Sequence, residues 1–152
     1  MEAHVRARDL YEAGGDRHRE ATAWNNLGMA LSDTRRLDEA LEAHHRALDL
    51  YQALGDRHRE ATAWNNLGSS LRMLGRTPEA SQACHQALKI FQQFEDWYGA
   101  GQTRTNLALM SESAHRPAEA RTYWVQAADA YTRANASAEA TDARARADRL
   151  VD

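Results

Sequence analysis

A chain of 152 residues with a net charge of −3 and a pI near 6.2 makes no electrostatic case for binding nucleic acid or an anionic membrane surface. The lone Cys84 excludes an internal disulfide framework. Without a basic-then-apolar leader or an apolar run near the roughly 18 residues of a membrane span, a soluble, cytoplasmic protein is the default expectation.

Eight glycines and two prolines in an alanine-rich sequence favour helix nearly throughout, and no sheet is expected. The stretch Gly15 to Gly28, GDRHREATAWNNLG, recurs residue for residue as Gly55 to Gly68. Such an identity at a fixed 40-residue offset marks a tandem array, whose units bury their apolar faces against neighbours rather than in one central core.

In chain order, His4 to Gly15 aligns with His44 to Gly55, through His4/His44, Asp9/Asp49, Leu10/Leu50 and Tyr11/Tyr51. The sequence therefore opens half a repeat in. Gly15-Asp16 is a helix stop and restart, the glycine suited to a left-handed position and Asp16 able to cap the next helix. That helix runs to about Asp33, with Trp24, Leu27, Gly28 and Leu31 at about 0°, 300°, 40° and 340° on one face. Thr34-Arg35-Arg36 forms a turn. The next helix, from roughly Leu37 to Leu54, packs through Ala40, Ala43, Ala47, Leu48, Leu50 and Tyr51.

The second unit repeats this scheme with Trp64, Leu67, Gly68 and Leu71, a Gly75-Arg76 turn, Pro78 in a first helical turn, and then Ala80, Cys84, Ala87, Leu88 and Phe91. The third diverges: Glu95-Asp96 replaces Gly-Asp, Arg104 stands where Trp24 and Trp64 stand, and Asn106-Leu107 keeps the local motif. Its second helix carries Ala120, Trp124, Ala127 and Tyr131. The segment Ser137 to Leu150 aligns with a first helix but is mostly Ala and Arg, as a terminal cap would be. The organisation expected is one all-α array with a half-repeat over 1–14, units over 15–54, 55–94 and 95–134, and a cap over 135–152. It contains about seven antiparallel helices.

The pattern Trp24-x2-Leu27-Gly28-x2-Leu31, followed by Ala40 and Ala47, resembles the tetratricopeptide repeat, and Trp64, Leu67, Gly68, Leu71, Ala80 and Ala87 repeat it. The likeness covers essentially the whole chain. It departs in a 40-residue period, where about 34 is usual, in Leu31 at the customary Tyr position, in His44 or Cys84 at the customary Phe position, and in lacking a closing proline. The longer period with its Gly-Asp-Arg junction is similar to the extended repeats of Pins-type adaptors, and to those of bacterial STAND ATPases and actinomycete regulators. The resemblance implies a right-handed α-solenoid that recognises a protein or peptide and performs no chemistry of its own.

Opposite the buried face, the same helical arithmetic puts Met29, Thr22, Asp33 and Asn26 at about 140°, 160°, 180° and 200°. The equivalents are Thr62, Asn66, Ser69 and Met73 in the second unit, and Gln102, Asn106, Leu109 and Ser113 in the third. In tetratricopeptide families this face is the usual groove, which implies that role for the residues named. Asn26, Asn66 and Asn106 form a ladder, with Asn25, Asn65 and Thr105 beside it. An amide both donates and accepts, so a ladder suits the backbone of an extended peptide, or equally hydrogen bonds between adjacent units. Met29, Ser69, Arg72 and Leu109 would supply side-chain selectivity.

The remaining chemistry is bland. No His-x3-His or His-Glu-x2-His spacing occurs among the seven histidines, so neither a metal nor a cofactor is expected. His18 and His58 read as solvated surface, Cys84 as a packed thiol, and Trp97-Tyr98 as an exposed aromatic contact. No catalytic residues are identifiable by spacing. The expected function is a non-catalytic scaffold, a piece of a larger regulatory or signalling protein with Met1 supplied by expression, that holds a peptide in its concave groove. The alternative is head-to-tail self-association through the unpaired terminal helices.

Overall fold

The computed structural model describes residues 2–150, and Met1 lies outside them. Among the described residues there are eight helices and no strand: α1 (Glu2–Gly14), α2 (Arg17–Asp33), α3 (Leu37–Leu54), α4 (Arg57–Met73), α5 (Thr77–Gln93), α6 (Trp97–Ser113), α7 (Pro117–Arg133) and α8 (Ser137–Arg149). The half-repeat, three units and cap expected from the sequence contain these eight helices, one more than the approximate count of seven, and the opening half-repeat packs on α2.

The turns explain the period. A single residue of positive φ ends each of the first seven helices: Gly15, Arg35, Gly55, Gly75, Glu95, His115 and Asn135, at φ between 53° and 75°. These fall 20 residues apart, so the 40-residue repeat is two helix-and-turn modules of equal length. In every turn the next residue's N–H bonds back across the helix end, as in Asp16 to Tyr11 O at 3.2 Å and Arg76 to Leu71 O at 2.9 Å. That is a Schellman closure. The same residue then opens the following helix as its N-cap, so only two or three residues separate consecutive helices and the pair angle has little freedom.

Alanine sets the helix spacing. Ala40, Ala80 and Ala120, with Ala47, Ala87 and Ala127, are all fully buried. Glycine permits the closest approach: a Cβ at Gly28 would lie 2.5 Å from the His44 ring, and one at Gly68 would lie 2.8 Å from Cys84 Sγ. In the third pair Ala108 shares a buried cluster with Trp124. These seams close each pair, and neighbouring pairs meet through a further one, where a Cβ at Gly99 of α6 would lie 2.6 Å from the Phe91 ring of α5, so each pair depends on the next for burial.

Among the described residues the first helices touch directly, α2 with α4 and α4 with α6, whereas the second helices make no comparable mutual contact. The row whose members lie closer together is the inner row of a curved stack. The concave side is therefore lined by α2, α4 and α6.

Candidate protein-binding groove

The three groove helices begin in register. Asp16, Asp56 and Asp96 accept from the backbone N–H of Arg19, Arg59 and Gly99 at 3.2, 3.1 and 2.8 Å, satisfying donors that a helix start leaves open. The caps are also reached from the preceding unit: His18 Nε2 lies 3.6 Å from Asp56 and His58 Nε2 2.7 Å from Asp96. Both histidines are exposed, and His58 is in addition hydrogen-bonded to Asp96 across consecutive first helices. The signal was present in the sequence as a histidine-to-aspartate offset of 38 residues occurring twice.

Deeper in the groove, the asparagines pair with each other. Asn66 Nδ2 donates to Asn25 Oδ1 at 3.1 Å, Asn106 Nδ2 donates to Asn65 Oδ1 at 3.2 Å, and Thr103 Oγ1 donates to the same Asn65 oxygen at 3.0 Å. The Ser32 and Ser70 hydroxyls share a further bond of 2.7 Å. Asn25, Asn65 and Asn106 are accordingly buried, at 7%, 7% and 8% exposure. These are the hydrogen bonds between adjacent units that the sequence offered beside the peptide reading, and the rungs are unequal, for Asn26 is exposed, Asn66 half-buried and Asn106 buried. The reason is geometric. Arithmetic on one helix allows one covered face, but each first helix is covered by its second helix and flanked by other first helices. Positions beside the open face then become inter-helix contacts.

The surface left open is polar with apolar points. Asn26, Met29 and Gln102 are exposed, and Thr22, Thr62, Ser69, Thr105 and Leu109 are half-buried. Thr22 Oγ1 accepts from Tyr51 Oη at 3.3 Å and from Arg59 Nη1 at 3.2 Å, while Thr105 Oγ1 lies 3.3 Å from Tyr131 Oη. Arg72 is half-buried with no hydrogen-bond partner at Nε, and burial, with Arg35 adding, pulls its pKa below the usual arginine value.

Cys84 is fully buried, and burial pushes its thiol up to about 12, which suits packing rather than nucleophilic chemistry. Tyr98 is exposed and donates to Glu139 at 3.3 Å, whereas Trp97 is half-buried with the Arg133 guanidinium 4.5 Å from its ring centre. Among the described residues no group of three or more His, Cys, Asp or Glu could hold a metal ion, and no helix is long and apolar enough to cross a membrane.

Helix pairs stacked through small-residue seams around one polar inner face define a helical-repeat scaffold. The family model for the tetratricopeptide repeat matches residues 19–93 and again 59–133. The chain belongs to the tetratricopeptide repeat family, whose members are typically non-catalytic scaffolds for protein interaction. Among solved structures it is similar in fold to BtubC (BKLC) from P. vanneervenii, with a TM-score of 0.60 and 18% identity over 94% of this chain and 76% of that one. A search of the curated proteins finds no match.

Proposed function

We propose that the chain holds an extended or helical peptide of a protein partner along α2, α4 and α6, as the recognition module of a larger regulatory or signalling protein. The observation that carries this reading is the inner row itself. It is continuous over three units, with exposed amides at Asn26 and Gln102 to meet a peptide backbone and with Met29 and Leu109 to meet side chains. Thr22, Thr62, Asn66, Ser69, Arg72 and Thr105 complete the contact surface, and Asn25, Asn65 and Asn106 hold the helices at the spacing the peptide reads.

Selection of peptides from a random display library on the full chain, followed by titration against variants, tests it. Met29→Glu is expected to weaken a selected peptide about tenfold or more without lowering Tm, Leu109→Glu to weaken it as much while lowering Tm because Leu109 packs against the α7/α8 cluster, and Asn65→Ala to lower Tm. Peptides that bind both glutamate variants undiminished would sink the reading.

A second reading rests on Leu10. Its counterpart Leu50 is buried, yet Leu10 is 72% exposed, so α8 of a second copy could cover it and close a head-to-tail contact. Light scattering over a concentration series decides. A mass that rises with concentration in the native chain but not in Leu10→Glu supports it, and a constant monomer mass rejects it.

A further inference from the structure

The outer side of the array also differs between units. In the second unit Glu60 of α4 is only 4% exposed, with Arg57 at 2.6 Å, Trp64 Nε1 at 3.3 Å and Gln52 Nε2 of α3 at 3.2 Å. The carboxylate and the donors around it answer one another. In the third unit the equivalents of Arg57, Glu60 and Trp64 are Trp97, Ala100 and Arg104. The buried carboxylate is gone, and an arginine occupies the place of the tryptophan.

The resulting cleft, of about 200 Å³, is lined by Trp97, Arg104, Gln126, Asp129 and Arg133. Arg104 is half-buried, and its Nε is buried without a hydrogen-bond partner. Burial and the like charge of Arg133 both act against its cationic form, with Asp129 opposing them. Among the described residues Asp129 is the only carboxylate lining the cleft, and it is also shared with Arg144 at 3.9 Å. Arg133 lies over the face of Trp97 and lines the same cleft as Arg104. Two arginines with a buried, unanswered donor and too little negative charge are arranged for an oxyanion, which a guanidinium binds through charge-assisted hydrogen bonds.

We propose that this α6/α7 cleft is a second recognition site, taking one oxyanion of a partner protein, a carboxylate or a phosphoryl group, between Arg104 and Arg133. The volume fits a single acidic side chain and falls below the roughly 300 Å³ at which pockets for drug-sized ligands begin. The site is separate from the groove, since Arg104 lies about 200° around α6 from Asn106. A partner lying along the inner face would need a second segment to reach it.

The test is an NMR titration of the full chain at low ionic strength that follows the arginine Nε–H signals, with hexaglutamate and inorganic phosphate as probes and hexaglutamine as control. Saturable shifts at Arg104 and Arg133 are expected with at least one of the two anions and none with hexaglutamine. Whichever saturates at lower concentration identifies the carboxylate or the phosphoryl source. Arg104→Trp restores the residue of the first two units, so the fold should tolerate it, and it should weaken binding about tenfold or more. The proposal is overturned by the absence of saturable shifts with both anions, by an unchanged titration in Arg104→Trp, or by equal shifts at Arg17 and Arg46 in the first unit's cleft.

Discussion

The second and third helix pairs share a topology, a turn geometry and a length, yet divide their side chains differently. In α4/α5 a half-buried Trp64 sits on the first helix and a glycine, Gly68, faces Cys84. In α6/α7 the first helix carries Arg104, and the tryptophan has moved to the second helix as Trp124, 2% exposed, clustered with Ala108 and with three alanines of α8. What persists between the pairs is the spacing of turns. What changes is where a charge is left without an answer.

The comparison is broken most severely at Trp124. Trp124→Ala is expected to cost about 3–5 kcal/mol in urea or thermal unfolding, with α7 and α8 loosening first, whereas Trp64→Ala should cost clearly less because Trp64 is half-exposed. Equal losses at the two sites would show that the aromatic mass has not changed helices in any energetic sense.

The next effect concerns His44, which fills in the first pair the position of Cys84 and Trp124. It is 1% exposed with its Nδ1 unpartnered, and burial, with His45 adding, lowers its pKa from 6.5 to about 4. The unfolded chain accepts a proton that folded His44 refuses. Stability is therefore full above about pH 6.5 and declines as pH falls toward 4, by about 3 kcal/mol at most. His44→Cys, the residue of the second pair, should flatten the Tm-against-pH curve in that window. A variant losing as much Tm as the parent between pH 7 and 4.5 would place the acid sensitivity elsewhere.

The smallest effect lies in the turns. Gly75→Ala puts a side chain at φ 75° and is expected to cost about 1 kcal/mol, a few degrees at most in Tm. The third pair tolerates Glu95, His115 and Asn135 in the same backbone conformation, so a much larger loss would mean that Gly75 serves more than its φ angle.

Most of the architecture was legible because the repeat is nearly exact. Gly15-Asp16 and Gly55-Asp56 mark helix boundaries chemically, and the apolar face of Trp24, Leu27, Gly28 and Leu31 follows from helical geometry. Less legible were the left-handed positions at Arg35, Glu95 and His115, whose residue types do not announce that conformation. The exposure of the inner face follows single-helix arithmetic only in part. Asn26 and Met29 do face outward, but Asn106 does not, because α4 supplies Asn65 to meet it. The His58 to Asp96 contact likewise requires knowing that two residues far apart in the chain sit at one height on adjacent helices.

By itself, the sequence determined that this protein is an all-helical tandem array: period, helix stops, caps and small-residue faces are local properties, each written within one or two turns of chain. Only the tertiary structure decided which polar groups are consumed by neighbours and which remain open. Burial of Asn25, pairing of Asn65 and the unanswered Nε of Arg104 depend on what an adjacent helix brings to the same place, and a single helix's periodicity carries no information about that.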